Sequence, residues 1–454
     1  MAVPELEKQA AADLGVDVPV IPTRSTGAAL KSQEKERYET LDDTTQAETS
    51  TERTAKPPPD GGLLAWLQVL GSFFLFMNTW GLVNSYGVYQ TYYQLELLRD
   101  KTPSQISWVG SFQACLLLVV GIATGPLFDL GYFYLLIWTG SFLVVLGLMM
   151  TSLCTKYWQV MLAQGLVLGL GFGCLSVPSV AIVSTYFSKK KAFATGIAAT
   201  GSSIGGVIYT STFSRLLPRI GFPWATRVVG FIALAGLTIS CAVMRVRVLP
   251  RSVRRLLEPR AFLEVPYASF AVAQLVGTMG TWVPFYYINS YAIQAAHVDP
   301  DLAFYLTSIL NATSTLGRLI PNYFADRTGP FNIMLPASAC SALLAFAWID
   351  IRSPAGLIVF CALYGFTSGS FVSLPAPAIA SLTPSLSVLG ARIGMNFTFA
   401  AVGILVGNPI GGAILRSTRG WVGLQCWAGA TTTAAALAIL VARFSKNPKL
   451  LGKA

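Results

Sequence analysis

The sequence predicts an all-α membrane protein of twelve transmembrane helices in two six-helix halves. Three observations lead there. Of 454 residues, 53% are hydrophobic and only 12% charged, with a mean hydropathy of +0.57; a soluble protein carries about 25% charged residues. Apolar runs recur at the length needed to cross a ~30 Å hydrocarbon core, about 20 helical residues. A basic stretch falls midway along the chain, between two equal sets of these runs.

Residues 1–60 hold 7 Lys/Arg against 12 Asp/Glu. They contain no apolar core segment, so the expectation is a disordered cytosolic tail with no cleavable signal; its Ser and Thr leave a regulatory or trafficking role open. The hydrophobic domain starts abruptly at Pro58-Pro-Asp60-Gly-Gly-Leu-Leu-Ala-Trp66. There Asp60 and Gly61 read as a helix start, an N-cap carboxylate followed by turn-permitting residues.

The first half, 61–245, is expected to span at 64–90, 106–128, 133–153, 157–186, 190–216 and 225–245. The second half, 262–444, is expected to span at 262–291, 301–326, 331–350, 354–383, 388–416 and 421–444, leaving 445–454 as a cytosolic C-terminal tail. With both ends inside, cytosolic loops and the C-tail carry fifteen Lys/Arg and the external loops nine, which agrees with the positive-inside rule. The linker 246–261, rich in Arg, is expected to lie as a short amphipathic helix against anionic lipid on the cytosolic side. Basic excess of this kind is topological and points away from nucleic acid.

A weak repeat links the halves. Gly125-Pro-Leu-Phe-Asp129-Leu-Gly131 follows the second span, and Ala325-Asp326-Arg327-Thr-Gly329 follows the eighth. Asp129, Asp326 and Arg327 are therefore candidate gating residues, with plain tight turns as the alternative. Glycines four apart (Gly165, Gly169 and Gly173; Gly201 and Gly205; Gly403, Gly407 and Gly411) allow close helix packing, either as static contacts or as a rocking seam. Pro178, Pro284, Pro375, Pro377 and Pro409 break hydrogen bonding within spans, which is tolerable only against protein or a cavity.

Seven cysteines show no CxxC spacing, and His297 is the single histidine. They predict no metal site and no disulfide framework; no cofactor is expected. No Walker motif is present, so the chain carries no ATPase of its own. Clustered catalytic polar residues are missing too, which argues against an enzyme. A membrane-bound solute sensor is the alternative of another class, but the acidic tail offers no folded signalling domain.

One residue stands out. Arg318 lies deep in the eighth span, with Ser314 four residues before it and Asn322 four after. A guanidinium within the bilayer costs several kcal/mol and must face the bundle interior. With no carboxylate within a turn it suits fork-like binding of an anionic or carbonyl-rich solute. Pairing with Asp326 as a latch, and snorkelling to the inner surface, remain open. Uncharged groups expected near the centre are Asn84, Tyr86, Gln113, Gln164, Phe285, Asn289, Asn311, Tyr364 and Asn396. Hydrogen-bonding groups among aromatics suit a sizeable, flat, partly apolar solute. The carboxylates of residues 61–454 all fall in loops or near helix ends, so no proton relay is visible.

Pro59-Asp60-Gly61-Gly62 with Trp66, Tyr186-Phe187-Ser-Lys-Lys-Lys-Ala192 leading to Gly196-Ile-Ala-Ala-Thr-Gly201, and Gly317-Arg318 with Ala325-Asp326-Arg327 resemble the fungal branch of the monocarboxylate-porter family, within the major facilitator superfamily. The likeness covers roughly residues 57–445. It implies the major facilitator fold and secondary transport, and Arg318 matches that family's helix-8 substrate arginine. Two positions depart from the proton-linked lactate carriers: Ser314 stands where they have an Asp, and Asn84 where they have a Lys. Simple lactate–proton symport is therefore not expected. The resemblance implies a carrier for a small organic, anionic metabolite, with efflux of a fungal secondary metabolite as the leading reading. Uptake of a monocarboxylate or of a vitamin such as riboflavin is the alternative. The expected partners are the solute and the bilayer, the expected state is a monomer, and the expected place is the cell membrane (or a vacuolar or other internal one).

Overall fold

The computed structural model describes residues 60–187, 190–247, 257–384 and 386–448. Of the expected tails 1–60 and 445–454, residues 1–59 and 449–454 lie outside the described residues, as does the middle of the linker at 248–256. Residues Pro59–Ala454 form one compact unit.

Among the described residues every regular element is helical. In the first half α1 runs Leu63–Leu97, α2 Pro103–Asp129, α3 Phe133–Thr151 and α4 Tyr157–Tyr186. A continuous stretch Lys191–Val243 follows, and Gly221, at φ 72° and ψ 170°, parts it into α5 (191–220) and α6 (222–243). Only glycine takes that conformation without strain, and Pro218 and Pro223 flank it. The expected loop at 217–224 thus shrinks to a single residue.

In the second half α7 is formed by Val265–Thr281 and Val283–Gln294, α8 by Pro300–Thr328 and α9 by Pro330–Asp350. Then come α10, Pro354–Leu382, α11, Leu386–Leu415, and α12, Gly420–Lys446. Among the described residues nine stretches are long and apolar enough to cross a membrane. The continuous α5–α6 stretch counts once. α7, interrupted at Trp282, and α8, polar along one face from Thr307 to Arg318, are the two that fall outside the nine.

Two expectations need correcting. α1 does not stop near residue 90; it continues to Leu97 through π-helical turns at Met77–Gly81 and Tyr93–Leu97. Nor does Asp60 cap α1. Gly62 holds the N-cap position, while the Asp60 amide donates to the Tyr186 carbonyl at the end of α4 (3.2 Å). The first residues after the tail are thus tied to α4.

Side-chain register gives the packing. α1 and α7 run parallel, with Trp80 stacked on Trp282 (6.0 Å) and Tyr86 against Tyr286 (5.0 Å). α5 meets α8 antiparallel through Ser202–Arg318 and Ser211–Ser308, and α2 meets α11 through Ser111–Asn408. This is the pairing expected of two matched halves facing each other. We call the face bearing Asp60, Val243 and Lys446 the near face and its opposite the far face.

The glycine series pack within halves. Gly169 and Gly173 of α4 meet Leu116 and Val120 of α2, Gly201 and Gly205 of α5 meet Phe73 and Met77 of α1, and Gly403 and Gly407 of α11 meet Leu275 and Met279 of α7. These series are intra-half packing, not a seam on which one half rocks against the other. Glycines that let the halves approach include Gly87, Gly206 and Gly412, against Phe285, Asn311 and Ser104, and Gly394 against Ile122.

Arg392 also differs from expectation. It is one of the fifteen Lys/Arg expected in cytosolic loops and the C-tail, yet it is 1% exposed. Its Nε donates to Glu258 (2.8 Å) and its Nη2 to Glu264 (2.6 Å), with a further bond to the Leu382 carbonyl (3.1 Å). This cluster ties the end of the linker and the start of α7 to the first turns of α11.

Candidate substrate site

Arg318 is buried inside the bundle, 8% exposed, facing α5 of the other half. Its Nη1 donates to Ser202 Oγ. The Ser202 hydroxyl spends its own proton on the Ala199 carbonyl (2.5 Å), so it presents lone pairs to the guanidinium. Among the described residues no carboxylate lies within salt-bridge distance of Arg318, and its Nε has no partner. The contrast with Arg392 and its two acids is direct. A buried charge without a counter-ion is expensive.

From Ser202 a polar chain crosses the bundle. Asn84 Nδ2 donates to the Ser202 carbonyl (3.4 Å), and Asn311 Nδ2 donates to the Asn84 carbonyl (3.5 Å) and to that of Thr307 (3.0 Å). Thr307 Oγ1 in turn donates to Asn289 Oδ1 (2.9 Å). Five residues of α1, α5, α7 and α8 are thus joined to Arg318. Each Nδ2 of Asn84 and Asn311 faces a carbonyl, which fixes the amide orientation. Their Oδ1 atoms, with Asn289 Nδ2, are left without partners. Buried polar groups are normally paired, and here several unpaired ones gather around the guanidinium.

The structure brings together Arg318, Asn84, Asn311 and Asn289 of the expected set. Tyr86 and Phe285 lie on α1 and α7 beside this cluster and share no bond with it. Tyr86 donates to the Ile106 carbonyl (2.6 Å), and the Phe285 ring leans on Trp282 (5.3 Å). Further towards the far face Thr91 and Gln94 bond Ser290 at 3.0 and 2.8 Å. Arg318–Ser202 lies nearest the near face among these bonds between halves.

The other expected residues stand apart. Gln164 accepts from Tyr93 (2.6 Å), joining α4 to α1 inside one half. Tyr364 donates to the Thr281 carbonyl (3.1 Å), joining α10 to α7. Gln113 Oε1 and both amide atoms of Asn396 are buried and unpaired but share no bond with the Arg318 chain. Of the gating candidates, Asp129 is buried at the near end of α2. Arg327 is exposed and bonds Tyr323 of its own helix (2.6 Å); the Asp326 side chain lies outside the described residues. Ser202 was not foreseen. A serine in a helix ordinarily bonds its own preceding turn, and only the neighbouring Gly201 and Gly205 hinted at a close approach there.

The model of the Major Facilitator Superfamily matches residues 68–385. The MFS-type transporter dbaD of Emericella nidulans is 44% identical over 402 residues, 86% of this chain and 90% of that protein. The aspyridones efflux protein apdF of the same organism is 39% identical, covering 83% of this chain and 77% of its own length. Among solved structures, the peptide transporter POT in complex with sulfate superposes with a TM-score of 0.68 over 89% of this chain and 99% of that one. At 13% identity that likeness speaks for the fold.

Proposed function

The chain belongs to the Major Facilitator Superfamily, and we propose that its cargo is an organic anion of fungal secondary metabolism, exported by alternating access and held by Arg318. It is a multi-pass membrane transporter and not an enzyme. The observation that carries the cargo assignment is the buried guanidinium with no acidic companion among the described residues. An oxyanion docking on its free edge supplies the missing charge and gains charge-assisted, fork-like hydrogen bonds. The unpaired amides of Asn84, Asn311 and Asn289 add uncharged contacts for a solute larger than lactate. The efflux direction is supported by the relative named as an efflux protein.

In this reading the near face is cytosolic, all twelve helices cross the cell membrane, and the bonds at Thr91, Gln94 and Ser290 belong to a state closed towards the outside. Residues 61–245 and 262–444 rock as two bodies, with Asp129, Asp326 and Arg327 at the cytosolic gate. The branch is that of the monocarboxylate porters, with Ser314 and Asn84 replacing the charged pair of the proton-linked members.

Deleting the gene tests the function. Acidic metabolites of the producing cell are expected to shift from the medium to the cell, and an unchanged partition of every acidic metabolite would overturn the export reading.

A further inference from the structure

We propose that Ser202 is the positioning residue that aims the Arg318 fork at its cargo. This rests on the reading of Arg318 as the cargo anchor. A guanidinium presents two edges for bidentate contact. Ser202 Oγ takes Nη1, and Nε has no partner, so the edge containing Nε is the one left for the cargo. Ser202 is itself fixed: its hydroxyl proton goes to Ala199 and its carbonyl accepts from Asn84. It is therefore a rigid acceptor and not a competing anion, and a neutral oxygen leaves the full charge of Arg318 for the cargo.

The two partners sit on opposite halves, so the guanidinium takes its rest across the contact between α5 and α8.

The test uses the purified full-length chain with benzoate as probe anion, reading its dissociation constant from thermal stabilisation. Ser202→Ala is expected to weaken benzoate about tenfold, the worth of one hydrogen bond to a charged group. Ser202→Thr, which keeps the hydroxyl, restores it. In an Arg318→Lys background, where no fork remains to be aimed, Ser202→Ala is expected to change nothing further. Ser202→Asp is expected to abolish binding through a fixed ion pair, while Ser202→Asn of the same size keeps more of it. Unchanged or tighter binding in Ser202→Ala overturns the positioning role. If Arg318→Ala binds benzoate like the wild type, or the wild type binds none, the anchor reading fails first and takes this proposal with it.

Discussion

Gly87 on α1 lies against the Phe285 carbonyl on α7 so closely that a Cβ there would overlap it. The obstructing atom is backbone, which cannot swing aside as a long side chain can. With the Thr91–Ser290 bond one turn on, this contact holds α1 against α7 towards the far face. Gly87→Val is expected to hold that side open, cutting export at least tenfold at unchanged surface level. A cysteine at Thr91, which is 0% exposed here, should then react with an impermeant maleimide from outside only in the valine background. Equal protection in both backgrounds would show that the contact is not a gate.

Arg392 stabilises the near end of the second half and touches no part of the cargo cluster. Arg392→Ala is expected to cost about 2 kcal/mol, less than the 3–5 of a fully buried pair, because the Glu264 side chain is 45% exposed. Thermal unfolding in detergent measures it, with Glu258→Gln and Glu264→Gln each costing less. Benzoate affinity of the folded fraction should stay unchanged.

Asn84 shares Ser202 with Arg318, its Nδ2 on the carbonyl and the guanidinium on the hydroxyl. Asn84→Asp places a carboxylate beside the guanidinium and gives it the counter-ion it lacks. Anion export should fall steeply while protein levels hold, and Asn84→Ala should lose far less. Gln164→Ala, which removes a partner of Tyr93 inside one half, is expected to lower stability by about 1 kcal/mol and leave cargo affinity alone.

The helix pattern was readable because hydropathy and turn residues set it locally. α4 was placed at 157–186 and occupies Tyr157–Tyr186. The break between α5 and α6 was overdrawn, since one glycine at positive φ does the work of a loop. Arg318 was legible as an expensive charge in an apolar run, and the position of Asn311 follows from it at two helical turns. Ser202 was not, because its role depends on a helix 116 residues away. For the same reason Arg392 was taken for a loop charge: its two acids come from the far end of the linker and the start of α7. Long-range pairing decides both, and periodicity does not record it.

No carboxylate of the described residues joins the hydrogen-bonded chain at Arg318, and the reading without proton coupling is tested directly. Collapsing the pH gradient is expected to leave counterflow exchange of labelled cargo in proteoliposomes within about twofold of its initial rate. A collapse of exchange would locate a titrating group outside this cluster.

The most direct measurement is the cargo concentration dependence of export by Arg318→Ala and Arg318→Lys against wild type, at equal surface expression. The account expects Arg318→Ala to raise KM at least about a hundredfold, from two hydrogen bonds to a charged group at about 1.5–3 kcal/mol each. Arg318→Lys, with charge but no fork, should fall between. Wild-type KM in Arg318→Ala would contradict the claim that this guanidinium holds the cargo.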